Sequence, residues 1–106
     1  MPYIKKEQRE MLDHKIDLLA GEIYCQTKND MDVAGLLNYC ITELMMRVVK
    51  QRFYKIRYYL LALMSGVLHN VDAELYRRVA TPYEDQKIEE SGDIFSYSKE
   101  NDDFLG

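Results

Sequence analysis

Two stretches of this chain concentrate side chains able to do chemistry. The first is Arg47, Lys50, Arg52, Phe53, Tyr54, Lys55, Arg57, Tyr58 and Tyr59, with five cations and no acid between 47 and 57. Cations interleaved with aromatic rings can neutralise phosphates and stack on bases. A helix beginning near Phe53 would add its dipole and free N–H groups to such an anion site. The plain alternative is a solvated face whose Lys and Arg stems cover apolar surface. The second stretch runs from Glu74 to Glu90. There Arg77 and Arg78 can clamp a phosphate, Tyr83 can stack on a ring, Thr81 can donate a hydrogen bond, and Lys87 adds a further cation. Glu74 and Arg78 also stand four apart in the favoured order for a helical ion pair. The alternative is therefore a helix end held by its own Arg–carboxylate pairs.

A third group, Glu84, Asp85, Glu89 and Glu90, has the acid density to bind Mg²⁺ for phosphoryl chemistry. Such a site needs acids converging from two helices. The rest of the chain offers only Glu43, Asp72 and Glu74 on the neighbouring helical segments, so no metal site is assigned. His14 and His69 have no partner at a metal-binding spacing. No Ser–His–Asp set, P-loop or dinucleotide fingerprint is present, and no catalytic residue or cofactor is assigned.

Hydrophobic periodicity supplies the elements that must position these groups. Leu12, Ile16, Leu19 and Ile23 recur at steps of four, three and four, predicting a first main helix over about 14–27 capped by Asp13, behind an extended arm at 1–5 and a short turn of helix at 6–11. Asp30 or Asp32 starts a second helix running to about Lys50, with a wide stripe of Val33, Leu37, Cys40, Ile41, Leu44 and Val48. A long third helix is predicted over about 53–80, stopped at Pro82. It would span about 40 Å against about 20 Å for the first, leaving apolar length to be covered by another copy. The fold class expected is all-α: helices two and three form an antiparallel hairpin flanked by helix one, in a homo-oligomeric bundle. The domain spans 1–93, and 94–106 is a polar, irregular, acidic tail.

Composition fits this reading. The chain has 106 residues, only two prolines and five glycines, and a net charge of −4. Residues 82–106 hold eight acids and two lysines, a net of −6, so residues 1–81 carry +2. A mildly basic body with an acidic tail suits anion binding on the body. Cys25 and Cys40 form no C-x-x-C pair and read as buried, reduced thiols of a cytoplasmic protein. No secretory leader is visible at the start. The longest apolar stretch, 58–68, falls far short of the roughly 20 residues of a membrane span.

Several short strings then carry a resemblance. Pro2-Tyr3-Ile4-Lys5, Leu37-Asn38-Tyr39 with Ile41-Thr42, and Glu74-Leu75-Tyr76-Arg77-Arg78-Val79-Ala80 are followed by Pro82-Tyr83-Glu84-Asp85, Lys87-Ile88, Glu90 and Gly92-Asp93. Together they resemble a family of small, uncharacterised helical proteins of bacteria and their phages. His69, Asn70 and Asp72 depart from that pattern, and 94–106 extend past its usual end. The resemblance implies a helical fold and no particular activity. It concentrates shared residues in the N-terminal arm and the Arg77–Asp93 segment. The function expected is a non-enzymatic binding protein of phage or bacterial type that sequesters a nucleotide-like, phosphorylated small molecule. Arg77, Arg78, Thr81, Tyr83 and Lys87 would grip it, with Tyr3 and Lys5 in support. Alternatives are a protein–protein adaptor, a nucleic-acid binder acting through Arg47, Lys50, Arg52, Tyr54, Lys55 and Arg57, and a Mg-dependent nucleotide hydrolase.

Overall fold

The structure, a computed structural model, describes residues 4–97. Among the described residues all regular structure is helical. α1 spans Lys6–Gln26, α2 spans Asp32–Phe53 and α3 spans Tyr58–Leu75; a π turn at Tyr76–Ala80 then leads into α4, Thr81–Ser91. A 3₁₀ turn follows at Phe95–Tyr97. The described residues thus form three helices, the last a stretch of 34 residues from Tyr58 to Ser91. Packing divides it into two compact units, one ending at Met64 and one beginning at Ser65.

In the first unit α1 lies against α2. α1 begins eight residues before the start predicted for the main helix and is continuous with the turn of helix expected at 6–11. Nothing between Lys6 and Asp13 breaks a helix, so the first turns add at little cost. Asp13 sits inside the helix, and the N-terminal bond comes from Lys5, whose N–H donates to Gln8 Oε1 at 3.0 Å. At the other end the Thr27 hydroxyl donates to the Ile23 carbonyl at 2.7 Å.

Asp32 then holds the connection to α2. Its carboxylate accepts the N–H of Lys28 at 3.0 Å and of Asn29 at 3.3 Å. Asn29 Oδ1 accepts the Met31 N–H at 3.0 Å, a local Asx turn. Packing behind this turn is sparse. Among the described residues only Val49 and Leu60 are buried apolar side chains. Cys40 is half-buried, whereas Cys25 is exposed and departs from the expected buried thiol because it lies off the apolar seam of α1.

In the second unit the helix does not stop at Pro82. Within a regular α-helix the Pro82 ring would press on the carbonyl four residues back, at Arg78. The turn immediately before it is widened: the Thr81 N–H bonds to the Tyr76 carbonyl, five residues back. This widening, together with the absence of an N–H on Pro82, lets the chain pass the proline and continue to Ser91. Gly92 ends α4, its N–H donating to the Ile88 carbonyl at 2.7 Å with φ 83° and ψ 158°. That backbone region is open essentially to glycine alone. Residues 98–106, most of the predicted tail, lie outside the described residues.

Asp32→Ala removes the acceptor for two loop N–H groups. It is expected to lower stability by about 1 kcal/mol, read from the urea midpoint, and Asp32→Asn should recover part of the loss. An unchanged midpoint would show that water replaces the carboxylate without cost.

Candidate functional site

The end of α2 gathers much of the basic, aromatic stretch around one cleft. Arg47 and Lys50 project from the last turns of α2, three residues apart and on one face. Tyr54 and Lys55 follow in the connection to α3. With Glu43, Met46, Val49 and Ile56 these four line a cleft of about 440 Å³. Arg47, Lys50 and Tyr54 also line an adjoining depression with Gln51. The helix ends at Phe53, and the predicted helix start there is not observed; α3 begins at Tyr58. The cations therefore sit at a helix C-terminus, where their charge opposes the negative end of the dipole.

The chain leaves α2 through an unusual turn. The Lys55 N–H donates to the Phe53 carbonyl at 2.8 Å across a single intervening residue, Tyr54. Tyr54 adopts φ 74° and ψ −45°, the γ-turn of positive φ that is rare and strained for a side-chain-bearing residue. It is the one non-glycine residue with positive φ among the described residues. Its ring is 89% exposed beside the cleft, so burial of the ring does not offset the strain. Around it Phe53 and Tyr59 meet edge to face, ring centres 6.5 Å apart. Arg52 turns onto the Phe53 ring at 5.8 Å, away from the cleft-lining set. The Arg57 carbonyl accepts the Leu60 and Leu61 N–H groups at the start of α3. Within the cleft, Arg47 Nε meets Glu43 Oε2 at 3.1 Å, leaving the remaining guanidinium nitrogens available to a ligand.

The Arg77–Lys87 segment is organised differently. Glu74 holds both arginines: Arg77 at 3.1 Å through one guanidinium nitrogen to both carboxylate oxygens, and Arg78 Nε at 2.8 Å. The predicted Glu74–Arg78 pair therefore forms, with Arg77 sharing the same acid. The Arg77 hydrogen bond, with the charges of both arginines, holds the Glu74 carboxyl below the ordinary glutamate value against a smaller opposing effect of partial burial. Tyr76 Oη reaches Glu84 at 3.5 Å, bridging the π turn. Lys87 lies over the Tyr83 ring at 5.5 Å and pairs with Glu90 at 3.4 Å. Thr81 is half-buried.

Lys5 is exposed at the N-terminus of α1, and Tyr3 lies outside the described residues. Among the described residues no three His, Cys, Asp or Glu side chains come together as a metal site. No helix among them is long and apolar enough to cross a membrane. The lining contributed by Glu43, Met46, Val49 and Ile56 was not singled out from the sequence as part of a site. The i,i+4 spacing of Glu43 with Arg47 and of Met46 with Lys50 was the available signal.

The chain belongs to a family described as "Domain of unknown function (DUF6899)", which it matches over residues 1–94. Neither the curated proteins nor the solved structures contain a significant match to it.

Two outcomes follow from this geometry. Tyr54→Gly should stabilise the chain by roughly 1 kcal/mol in urea unfolding, since glycine takes positive φ at little steric cost; a loss would mean that the ring contributes more than the strain removes. For Glu74, a depressed folded-state pKa means that its stabilisation is present above the ordinary value of 4.5 and lost as pH falls through the folded value. The helicity advantage of wild type over Glu74→Gln should therefore be full at neutral pH and disappear only below 4.5. A gap that is the same at all pH values would remove the ion pair as its cause.

Proposed function

We propose that this protein is a non-enzymatic binding protein that holds a phosphorylated, nucleotide-like small molecule in the cleft at the end of α2. The carrying observation is the convergence of Arg47, Lys50 and Lys55 with the strained Tyr54 around about 440 Å³. That volume falls in the range of small-molecule sites. The three cations match phosphate charge, and the Tyr54 ring is placed to stack on a base. Met46, Val49 and Ile56 supply apolar contact. Glu43 is already engaged by Arg47, which argues against its use as a free catalytic base. Strain held by an exposed residue at a cleft supports a binding role, because such backbone positions concentrate at ligand sites.

Arg77, Arg78, Thr81, Tyr83 and Lys87 form a second locus in this reading. A ligand there must compete with Glu74 for both guanidinium groups, so the α2 cleft is the stronger site. The concave form favours a small molecule over an extended nucleic acid. Sequestering a host signal, as a phage protein would in a bacterial cytoplasm, is the biological role that suits a binder of this kind. The protein in this reading works as a homo-oligomer. An adaptor role is the second reading, favoured by the apolar side chains left in contact with water on every helix.

A thermal-shift panel of cyclic and linear nucleotides, dinucleotides and ADP-ribose derivatives tests the proposal. A ligand at 100 times its Kd should add about 2.7 kcal/mol, a rise of many degrees for a chain this size. Lys50→Ala with Lys55→Ala should abolish the rise and Arg77→Ala should leave it. The reverse pattern would move the site to the second locus, and no shift across the panel would sink the reading. A nucleic-acid role would instead show affinity falling steeply with salt.

A further inference from the structure

The contact between α1 and α2 leaves a face that neither helix can cover. Leu12, Ile16 and Leu19 on α1 and Leu37, Ile41 and Leu44 on α2 remain 43–58% exposed. Between the helices lies a shallow groove of about 190 Å³ whose lining is entirely apolar apart from the Cys40 thiol. Val33 and Val48 extend the stripe along α2, at 36% and 53% exposed. A continuous apolar face of this size is rare on a monomer in water.

We infer that this face associates with the same face of a second copy, closing two α1–α2 hairpins into a four-helix bundle. Three observations favour a copy of the chain over a foreign protein. The helices are matched, at 21 and 22 residues, each about 32 Å long, so a two-fold pair covers both from end to end. The stripe has similar chemistry and exposure on both helices, which makes it self-complementary, as a two-fold interface requires. The area also suffices. Eight half-exposed aliphatic side chains at roughly 60 Å² each give on the order of 500 Å² per copy, and the pair reaches the roughly 1,000 Å² of a specific interface. The stripe runs at the three-and-four spacing that bundle helices use to interdigitate. The surface assigned differs from the α3 face that the sequence pattern suggested.

This inference rests on the self-association included in the proposed function and names its surface. The test is native mass spectrometry with light scattering of the purified full chain over a range of concentrations. Wild type is expected as a dimer, Ile41→Glu as a monomer of half the mass, and Leu68→Glu, on exposed α3, as a dimer still. If Ile41→Glu also loses its helical circular dichroism, hydrogen exchange on wild type decides. Amides of 12–23 and 37–48 should then gain protection as concentration rises through the association range. A wild type that stays monomeric throughout would overturn the inference. So would a dimer dissociated by Leu68→Glu but not by Ile41→Glu, which keeps self-association and removes this surface. A foreign protein held stoichiometrically by wild type and released by Ile41→Glu would replace the second copy with that partner. The nucleotide panel reports on the cleft alone, so the two ideas fail separately.

Discussion

Two helices packed side by side can shield only the strip along which they touch. That limit governs the first unit of this protein. α1 and α2 are joined by a short turn and lie against each other, yet an apolar seam runs along both, and on α2 it is wide enough for burial on two sides. The free energy of hiding that seam cannot be recovered within one hairpin. Buried side chains are correspondingly few, and Val49 and Leu60 sit where α2 ends and α3 begins. The tightest local packing of the first unit is therefore next to the cleft proposed to bind ligand.

That neighbourhood explains how an unfavourable backbone can persist. The γ-turn at Tyr54 lies between the C-terminus of α2 and the start of α3. The Phe53–Tyr59 edge-to-face contact spans it, and Leu60 anchors the far side. A strained residue survives when its surroundings fix it from both directions. The same short connection turns Lys55 toward the cationic face of α2, so the element that stores the strain also assembles the charge. The Glu74 cluster represents the opposite use of charge: one carboxylate satisfies two arginines within a helix, and the helix is stabilised by groups it already carries.

Much of the architecture was legible in the sequence. The seams at 12–23 and 33–48 gave two helices and the face each would turn to its neighbours, because apolar spacing reports directly on helical geometry. The Glu74–Arg78 pair could be read from its spacing. What could not be read was governed by cancelling local effects. Asp13 is a good cap by type, but the residues before it are equally content in a helix, so the helix ran on through it. Pro82 is a helix breaker by type, but a widened turn before it removed the clash. The basic stretch at 47–57 was visible as composition. Its division into cleft residues (Arg47, Lys50, Lys55) and others (Arg52 on a ring, Arg57 at a helix start) depended on a positive φ at Tyr54 that no residue preference announces.

The π turn at Tyr76–Ala80 acts on the sequence as an inserted letter. Each residue of a helix advances about 100° around the axis, so the one additional residue in that turn rotates everything after it by the same amount. Side chains at 83, 87 and 90 therefore occupy a different azimuth from the one a helical wheel drawn through 58–75 would give them. A reader projecting the whole 58–91 stretch on one wheel would mix two faces, and a lineage that lost the extra residue would have to re-choose the surface chemistry of every position beyond it.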